Sequence, residues 1–140
     1  MQLKKILVPV DGSDYSMQAA EYALELAKLI DAEIFLVHCR KTLPSILGAP
    51  YYQTAVDDLM EKSNKLVEPY INLFQEAGIK FTDRILEGPP TDIISEVAEI
   101  EECDMIVMGS RGHTNLEGLF LGSVTHRILH TAPCPVLVVR

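Results

Sequence analysis

Three glycines and a serine near the C-terminus form the pattern with the most chemical content in this sequence. Gly109 and Gly112 are separated by two residues, nine residues follow, and Gly122 and Ser123 come next. Glycines let the backbone approach phosphate oxygens closely, and successive N–H groups can form a nest for an anion. Ser123 opens a helical pattern, and a helix N-terminus offers unpaired N–H groups to a phosphate. The spacing therefore predicts a phosphate-binding loop; the alternative is that these glycines only form turns and a helix entry.

The distribution of charge agrees with an anionic ligand at this loop. The 140 residues include 20 Asp and Glu against 12 Lys and Arg, a net charge of −8. Nucleic acid or an anionic membrane is thus not the expected partner, because both need a basic face. Seven acidic residues and no basic one fall within residues 87–104, whereas residues 105–140 hold three arginines and one glutamate. Two or three cations cannot neutralise a triphosphate, so we expect a divalent metal with it.

Two other features have possible chemistry. Asp11 directly follows the first apolar run, where it either contacts a nucleotide or its metal, or is an ordinary turn carboxylate. His126 and His130 are four residues apart, a spacing that can hold a metal but equally suits a solvated helix end. Neither feature pairs a general base with a positioned nucleophile. We therefore expect binding without committed catalysis, with a slow ATPase or nucleotide hydrolase as the alternative.

Cysteine content and hydropathy bear on the compartment. The three cysteines show no Cys-x-x-Cys spacing, so neither a disulfide framework nor a zinc site is predicted. The first apolar run is too short for a signal peptide. No stretch approaches the ~18 apolar residues that span a bilayer. These features favour a cytoplasmic protein.

The elements that must position these residues alternate regularly. Apolar runs at 3–10, 33–39, 79–86, 104–108 and 136–139 predict strands, and helical patterns lie at 15–30, 56–77, from 90 and at 123–130. Pro44, Gly48 and Pro50 predict a long loop over 40–54, and Pro69 predicts a kink or break near Glu68. Continuous apolar strands between helices predict one α/β domain over 1–140, a parallel sheet doubly wound by helices. Ligands of such sheets bind beyond the carboxyl ends of the strands, at the switch point.

Several segments together resemble the universal stress protein family, over the whole chain. They are Ile-Leu-Val-Pro-Val-Asp-Gly-Ser at 6–13, Met-Gly-Ser-Arg-Gly at 108–112, the Gly-x2-Gly-x9-Gly-Ser spacing and the ending Pro-Val-Leu-Val-Val. The glycine spacing resembles that of the ATP-binding subgroup. The resemblance implies an adenine nucleotide alpha hydrolase-like three-layer sandwich with strand order 3-2-1-4-5. It also implies a homodimeric, nucleotide-dependent stress-response regulator that binds ATP (or AMP or ADP) with Mg2+ or Mn2+.

The same resemblance implies a set of nucleotide contacts on the loops after the first, second and fourth strands. They are Pro9, Val10, Asp11, Val37, Met108, Gly109, Arg111, Gly112, His113, Gly122, Ser123 and Val124. Residues 9–11 are expected on the adenosine side, with Asp11 as a possible metal ligand, and Val37 is expected to contact adenine through its backbone. Residues 122–124 are expected on the phosphates.

The last predicted strand suggests how two chains associate. Residues 132–139 carry no charge. An uncharged strand at a sheet edge, where the resemblance puts this one, invites pairing with another chain. We therefore expect a homodimer formed through Val136, Leu137, Val138 and Val139. An interior strand would be equally uncharged, so this prediction depends on the strand order.

Overall fold

Strands and helices alternate along the chain in the computed structural model, which describes residues 2–44, 46, 48–113 and 121–140. The elements are β1 (Lys5–Pro9), α1 (Asp14–Ile30), β2 (Glu33–Arg40), α2 (Tyr51–Ala77), β3 (Phe81–Glu87), α3 (Pro90–Ile100), β4 (Met105–Gly109), α4 (Ser123–Thr131) and β5 (Val136–Val139). The five strands are parallel and lie in the order β3-β2-β1-β4-β5. The predicted fold class and strand order are both confirmed.

Helices cover both faces of the sheet, because alternate residues of each strand enter two different cores. Ile6 and Val8 of β1 pack with side chains of α1 and α2. Leu7, between them, packs on the opposite face with Ile94 of α3 and Ile128 of α4. The central strands are therefore buried on both sides, which explains why they are continuous apolar runs.

The loop predicted over 40–54 is shorter than expected, since α2 begins at Tyr51. Residues 45 and 47 of this segment lie outside the described residues. Pro50 occupies the N-cap position, where the missing N–H of proline costs no intrahelical bond. The Tyr52 N–H donates to the carbonyl of Gly48 at 2.7 Å. The proline and glycine that indicated a loop thus also mark the start of a helix.

Of the kink or break predicted near Glu68, the break is wrong, because α2 continues through Pro69 as one helix. The carbonyl that loses its partner to this proline belongs to Lys65. Lys65 and Pro69 are both exposed, so water can replace the missing bond. Val67 and Tyr70 on the buried side hold the helix against the core.

Other boundaries differ by one or two residues. β1 begins at Lys5 rather than at residue 3, and β3 begins at Phe81 rather than at residue 79. β2 extends through Arg40, which pairs in register with Glu87 of β3 and forms a 3.3 Å ion pair with it. Among the described residues, no helix has the length and apolar character needed to cross a membrane.

Candidate functional site

A cavity of about 790 Å3 opens at the carboxyl edge of the sheet, where the chain leaves β1, β2 and β4. It lies at the switch point, because β2 follows β1 on one side and β4 flanks β1 on the other. Its volume is in the range of small-molecule sites. All twelve predicted contacts line it: Pro9, Val10, Asp11, Val37, Met108, Gly109, Arg111, Gly112, His113, Gly122, Ser123 and Val124.

Nine further residues line the cavity that were not predicted as contacts. They are Ser16, His38, Cys39, Lys41, Pro90, Ile94, Leu121, Thr125 and His126. Lys41 adds a cation from a segment that showed no periodic pattern. Four of the others, His38, Cys39, Thr125 and His126, follow a predicted residue by one or two positions, so extending those two motifs along the strand or helix would have found them.

The turn between β1 and α1 holds the Asp11 carboxylate through one of its two oxygens. Asp11 Oδ1 accepts hydrogen bonds from the Ser13 N–H at 2.9 Å and from the Ser13 hydroxyl at 2.5 Å. Ser13 in turn caps α1 by accepting from the Ser16 N–H at 3.2 Å. Asp11 Oδ2 lies on the side of Gly112, where a Cβ atom would come within 2.5 Å of it. Asp11 is therefore a turn carboxylate through Oδ1 and presents Oδ2 to the glycine loop.

Gly109 has a packing role that the sequence does not reveal. A Cβ at this position would lie 2.9 Å from the backbone carbon and oxygen of Tyr15 in α1. Only glycine permits this approach of helix to strand. The Gly109 carbonyl accepts a hydrogen bond from the buried Thr125 hydroxyl at 2.8 Å. Packing against α1 thus requires a glycine at this position, and the same residue also lines the cavity.

Gly112 and Gly122 face each other across the loop rather than packing on a helix. The Gly122 N–H donates to the Ser110 carbonyl at 2.7 Å and closes the loop. A Cβ at Gly122 would lie 3.2 Å from Arg111 Cα and 3.6 Å from the Gly112 nitrogen. Residues 114–120 of the loop lie outside the described residues. The close approach of these segments brings their backbone to this end of the cavity.

The N-terminus of α4 enters the same end of the cavity. Gly122 is its N-cap residue, in an extended conformation and with no side chain to cap the helix. The first N–H groups of a helix have no intrahelical partner. Ser123, Val124 and Thr125, which carry these groups, line the cavity. A helix N-terminus in this position is able to accept an anion.

His113 joins the two loops at the cavity mouth. Its Nε2 lies 2.5 Å from the backbone carbonyl of Asp11. A carbonyl oxygen only accepts, so Nε2 carries the proton and donates. The loop after β4 is therefore attached to the loop after β1 at the position where Asp11 presents its carboxylate.

The opposite end of the cavity is formed by the end of β2. Val37 is fully buried, and its carbonyl accepts from the Val10 N–H at 2.9 Å. Odd-numbered residues of β2 direct their backbone polar groups toward β1, as Glu33 and Val37 do. Cys39 is the next odd-numbered residue, at a level where β1 has already ended at Pro9. Its N–H and carbonyl therefore point to the side of the cavity, while the Val37 carbonyl is already bonded.

Cys39, His38 and His126 contribute a thiol and two imidazoles to the lining of the cavity. Burial raises the pKa of the Cys39 thiol to about 11, so it is protonated at neutral pH. His38 donates from Nδ1 to the Val10 carbonyl at 2.9 Å. The rings of His126 and His130 are 4.9 Å apart, centre to centre. Within the described part of the chain, no three His, Cys, Asp or Glu side chains are grouped to hold a metal.

A metal brought by a nucleotide fits this site better than one held by the protein alone. Mg2+ in phosphate sites usually keeps several waters and binds one or two carboxylates plus the phosphates. The anchored Asp11 carboxylate, with Oδ2 toward the glycine loop, matches that donor set. Asp11 would hold the ion, which would neutralise phosphate charge.

The fold and this cavity define a doubly wound α/β protein with a cavity at its switch point. The chain belongs to the universal stress protein family, whose model matches residues 2–140. Universal stress protein MJ0531 of Methanocaldococcus jannaschii is 39% identical over 140 residues, which cover 98% of this chain and 82% of the relative.

Solved structures agree with this assignment. The structure of MJ0577, another universal stress protein of M. jannaschii, matches with a TM-score of 0.89 at 32% identity and covers 99% of this chain and 96% of its own. The universal stress protein of Archaeoglobus fulgidus, solved in complex with dAMP, has a TM-score of 0.74 at 22% identity, with both chains fully covered. At that identity the second likeness supports the fold alone.

Proposed function

We propose that this protein binds an adenine nucleotide, ATP with Mg2+ or Mn2+, in the cavity at the carboxyl edge of the sheet. The observation that carries the proposal is the convergence of the glycine loop, the N-terminus of α4 and Asp11 on one cavity. The membership of the universal stress protein family supports it.

The phosphates would lie at the end formed by Gly112 and residues 122–124. Backbone N–H groups and the positive end of the α4 dipole face a ligand there. Arg111 lines the same end. Asp11 would reach the phosphates through the metal, because a carboxylate without a cation would repel them.

The adenine would lie at the end of β2. The hydrogen-bonding edge of adenine needs a donor and an acceptor side by side. A strand residue whose backbone N–H and carbonyl groups are unpaired supplies both. Because the Val37 carbonyl is bonded to Val10, we assign the backbone contact to Cys39, and Val37 remains part of the apolar wall. Ile94 and Met108 line the cavity as well and offer apolar surface to a base.

Nucleotide that co-purifies with the protein tests this proposal. Freshly purified protein is denatured, and the released small molecules are identified and quantified by mass spectrometry. We expect adenine nucleotides from the wild type and much less from Gly122→Val, whose side chain would begin 3.2 Å from Arg111 Cα. Equal release from both proteins would contradict the assignment of the phosphate end.

A homodimer through β5 is the second part of the proposal. β5 lies at an edge of the sheet, which is the condition on which the sequence prediction depended. Its four residues are all partly exposed and uncharged, so its outer backbone groups are available to a second strand. Sedimentation at micromolar concentration is expected to show a dimer for the wild type and a monomer for Val138→Lys. A monomeric wild type would contradict it.

The proposed role is that of a nucleotide-dependent regulator in the stress response rather than an enzyme. His38 and His113, two of the imidazoles at the cavity, each donate one ring N–H to a backbone carbonyl and so serve to position loops. A cytoplasmic location fits the three free cysteines. Incubation of the protein with ATP and Mg2+ tests the role, since the slow-ATPase alternative predicts phosphate release that follows protein concentration.

A further inference from the structure

A chain of hydroxyl groups connects the core of α2 to the Asp11 carboxylate. Tyr70 Oη lies 2.6 Å from Ser16 Oγ. Ser16 Oγ lies 3.0 Å from the Ser13 carbonyl and 3.4 Å from the Asp11 nitrogen. The Ser13 hydroxyl lies 2.5 Å from Asp11 Oδ1. Two residues, Ser16 of α1 and Ser13 of the turn, thus separate the tyrosine from the carboxylate in the cavity.

One arrangement of the protons makes every one of these contacts a hydrogen bond. The Ser13 carbonyl and Asp11 Oδ1 only accept, so the hydroxyl of Ser16 donates to the first and that of Ser13 donates to the second. Ser16 Oγ has then used its only proton. Tyr70 must therefore donate to Ser16, which also accepts from the Asp11 N–H. The Ser16 hydroxyl thus donates to the Ser13 backbone carbonyl, and the Ser13 hydroxyl donates to Asp11.

We propose that Tyr70 is a positioning residue for the Asp11 carboxylate, and so for the nucleotide that this carboxylate meets. Tyr70 is 1% exposed and is not among the residues that line the cavity, so it acts on a ligand only through Ser16 and the turn. The inference rests on the proposed function, since it assigns a residue that supports that same site.

Loss of the Tyr70 hydroxyl leaves Ser16 Oγ buried with one acceptor position empty. The Ser16 hydroxyl is then free to rotate away from the Ser13 carbonyl. Ser13 holds both Asp11 Oδ1 and the N-cap of α1, so the turn loosens where the carboxylate is anchored. The ring of Tyr70 stays in place in Tyr70→Phe, and the core loses no volume.

A double-mutant cycle with Asp11→Asn tests this proposal, with the affinity for ATP and Mg2+ measured by calorimetry. Asparagine keeps an oxygen that can accept from Ser13 but has no carboxylate for the metal. We expect Tyr70→Phe to weaken binding about fivefold in the wild-type background, the value of one buried hydrogen bond. In the Asp11→Asn background the loss should be under twofold, because the two residues act through one route.

Val67→Ala serves as the matched control. Val67 lies on the same buried face of α2 and is 3% exposed, so its truncation destabilises the helix without touching the hydroxyl chain. Val67→Ala should change the affinity for ATP by less than twofold in both the wild-type and the Asp11→Asn backgrounds. An equal loss from Tyr70→Phe in both backgrounds, or no loss in the wild type, would overturn the inference. A wild type that binds no ATP would instead overturn the proposed function, and this inference with it.

Hydrogen exchange in the protein without ligand gives a second reading, which is needed if Asp11→Asn abolishes binding. The Ser13 N–H donates to Asp11 Oδ1, so its exchange rate reports the anchoring of the carboxylate. We expect about fivefold faster exchange at Ser13 in Tyr70→Phe than in Val67→Ala, compared at equal global stability. Equal rates in the two variants would contradict the positioning role.

Discussion

Replacement of Gly112 by alanine introduces a methyl group against the Asp11 oxygen that faces the glycine loop. The new Cβ would lie 2.5 Å from Oδ2, about 0.9 Å inside ordinary contact, which begins at 3.4 Å. The carboxylate cannot turn away freely, because Oδ1 accepts two hydrogen bonds from Ser13. We therefore expect the methyl group to displace or shield the oxygen proposed to meet the metal of a nucleotide.

The size of the effect follows from the interaction that is lost. A hydrogen bond or contact that involves a charged group contributes about 1.5–3 kcal/mol. Its loss corresponds to a roughly 10- to 150-fold weaker affinity for ATP with Mg2+. Calorimetric titration of wild type and Gly112→Ala, with and without Mg2+, measures this loss. Most of it should disappear when the metal is removed with EDTA, because Asp11 is proposed to act through the metal.

Two other glycines serve as controls for stability. Gly109→Ala would put its Cβ 2.9 Å from the backbone of Tyr15, so it should lower the free energy of unfolding by about 1–3 kcal/mol. Gly78→Ala has open space but a φ of +69° at the end of α2, and should cost about 1 kcal/mol. Gly78→Ala should bind ATP like the wild type. Unchanged affinity in Gly112→Ala, or an equal loss in Gly78→Ala, would refute this reasoning.

Four more outcomes are expected. Cys39, with a pKa near 11, should react slowly with iodoacetamide at pH 8 and faster as the pH rises, since the thiolate is the nucleophile. ATP with Mg2+ should slow the alkylation of Cys39, as measured by peptide mass mapping. Cys103 is the control, because its pKa is also about 11 and it is not among the residues that line the cavity. Equal protection of the two cysteines would contradict the proposed site. Thr125→Val should lower the free energy of unfolding by about 1–3 kcal/mol in urea, because it removes the donor to the buried Gly109 carbonyl. Phosphate release from ATP should not rise with protein concentration; a proportional rise would favour the ATPase.

The sequence predicts the architecture well because each element has a local cause. β1, β2 and β4 are buried on both faces, so they appear as apolar runs, and the helices between them keep one apolar side. The predicted boundaries of the helices and loops are wrong where one residue type suits two different structures. Pro50 suits both a loop and a helix start, and Pro69 is tolerated because its side of α2 faces water.

The candidate site was predictable where the chain itself sets the spacing, and less so where distant segments meet. Gly112 and Gly122 belong to one loop, so their spacing carries the signal. The contact of Gly109 with Tyr15 spans two elements, and so does the bond from Tyr70 to Ser16. No local pattern records such contacts, because each depends on how helices pack on the sheet.

Calorimetric titration of the wild-type protein with ATP and Mg2+ tests the adenine nucleotide site most directly. GTP is the matched control, since its base cannot present the same edge to the backbone of Cys39. We predict saturable binding of one ATP per chain, at least tenfold tighter than GTP and weakened when EDTA removes the metal. No heat of binding with millimolar ATP, or equal affinity for the two nucleotides, would contradict the assignment of this cavity.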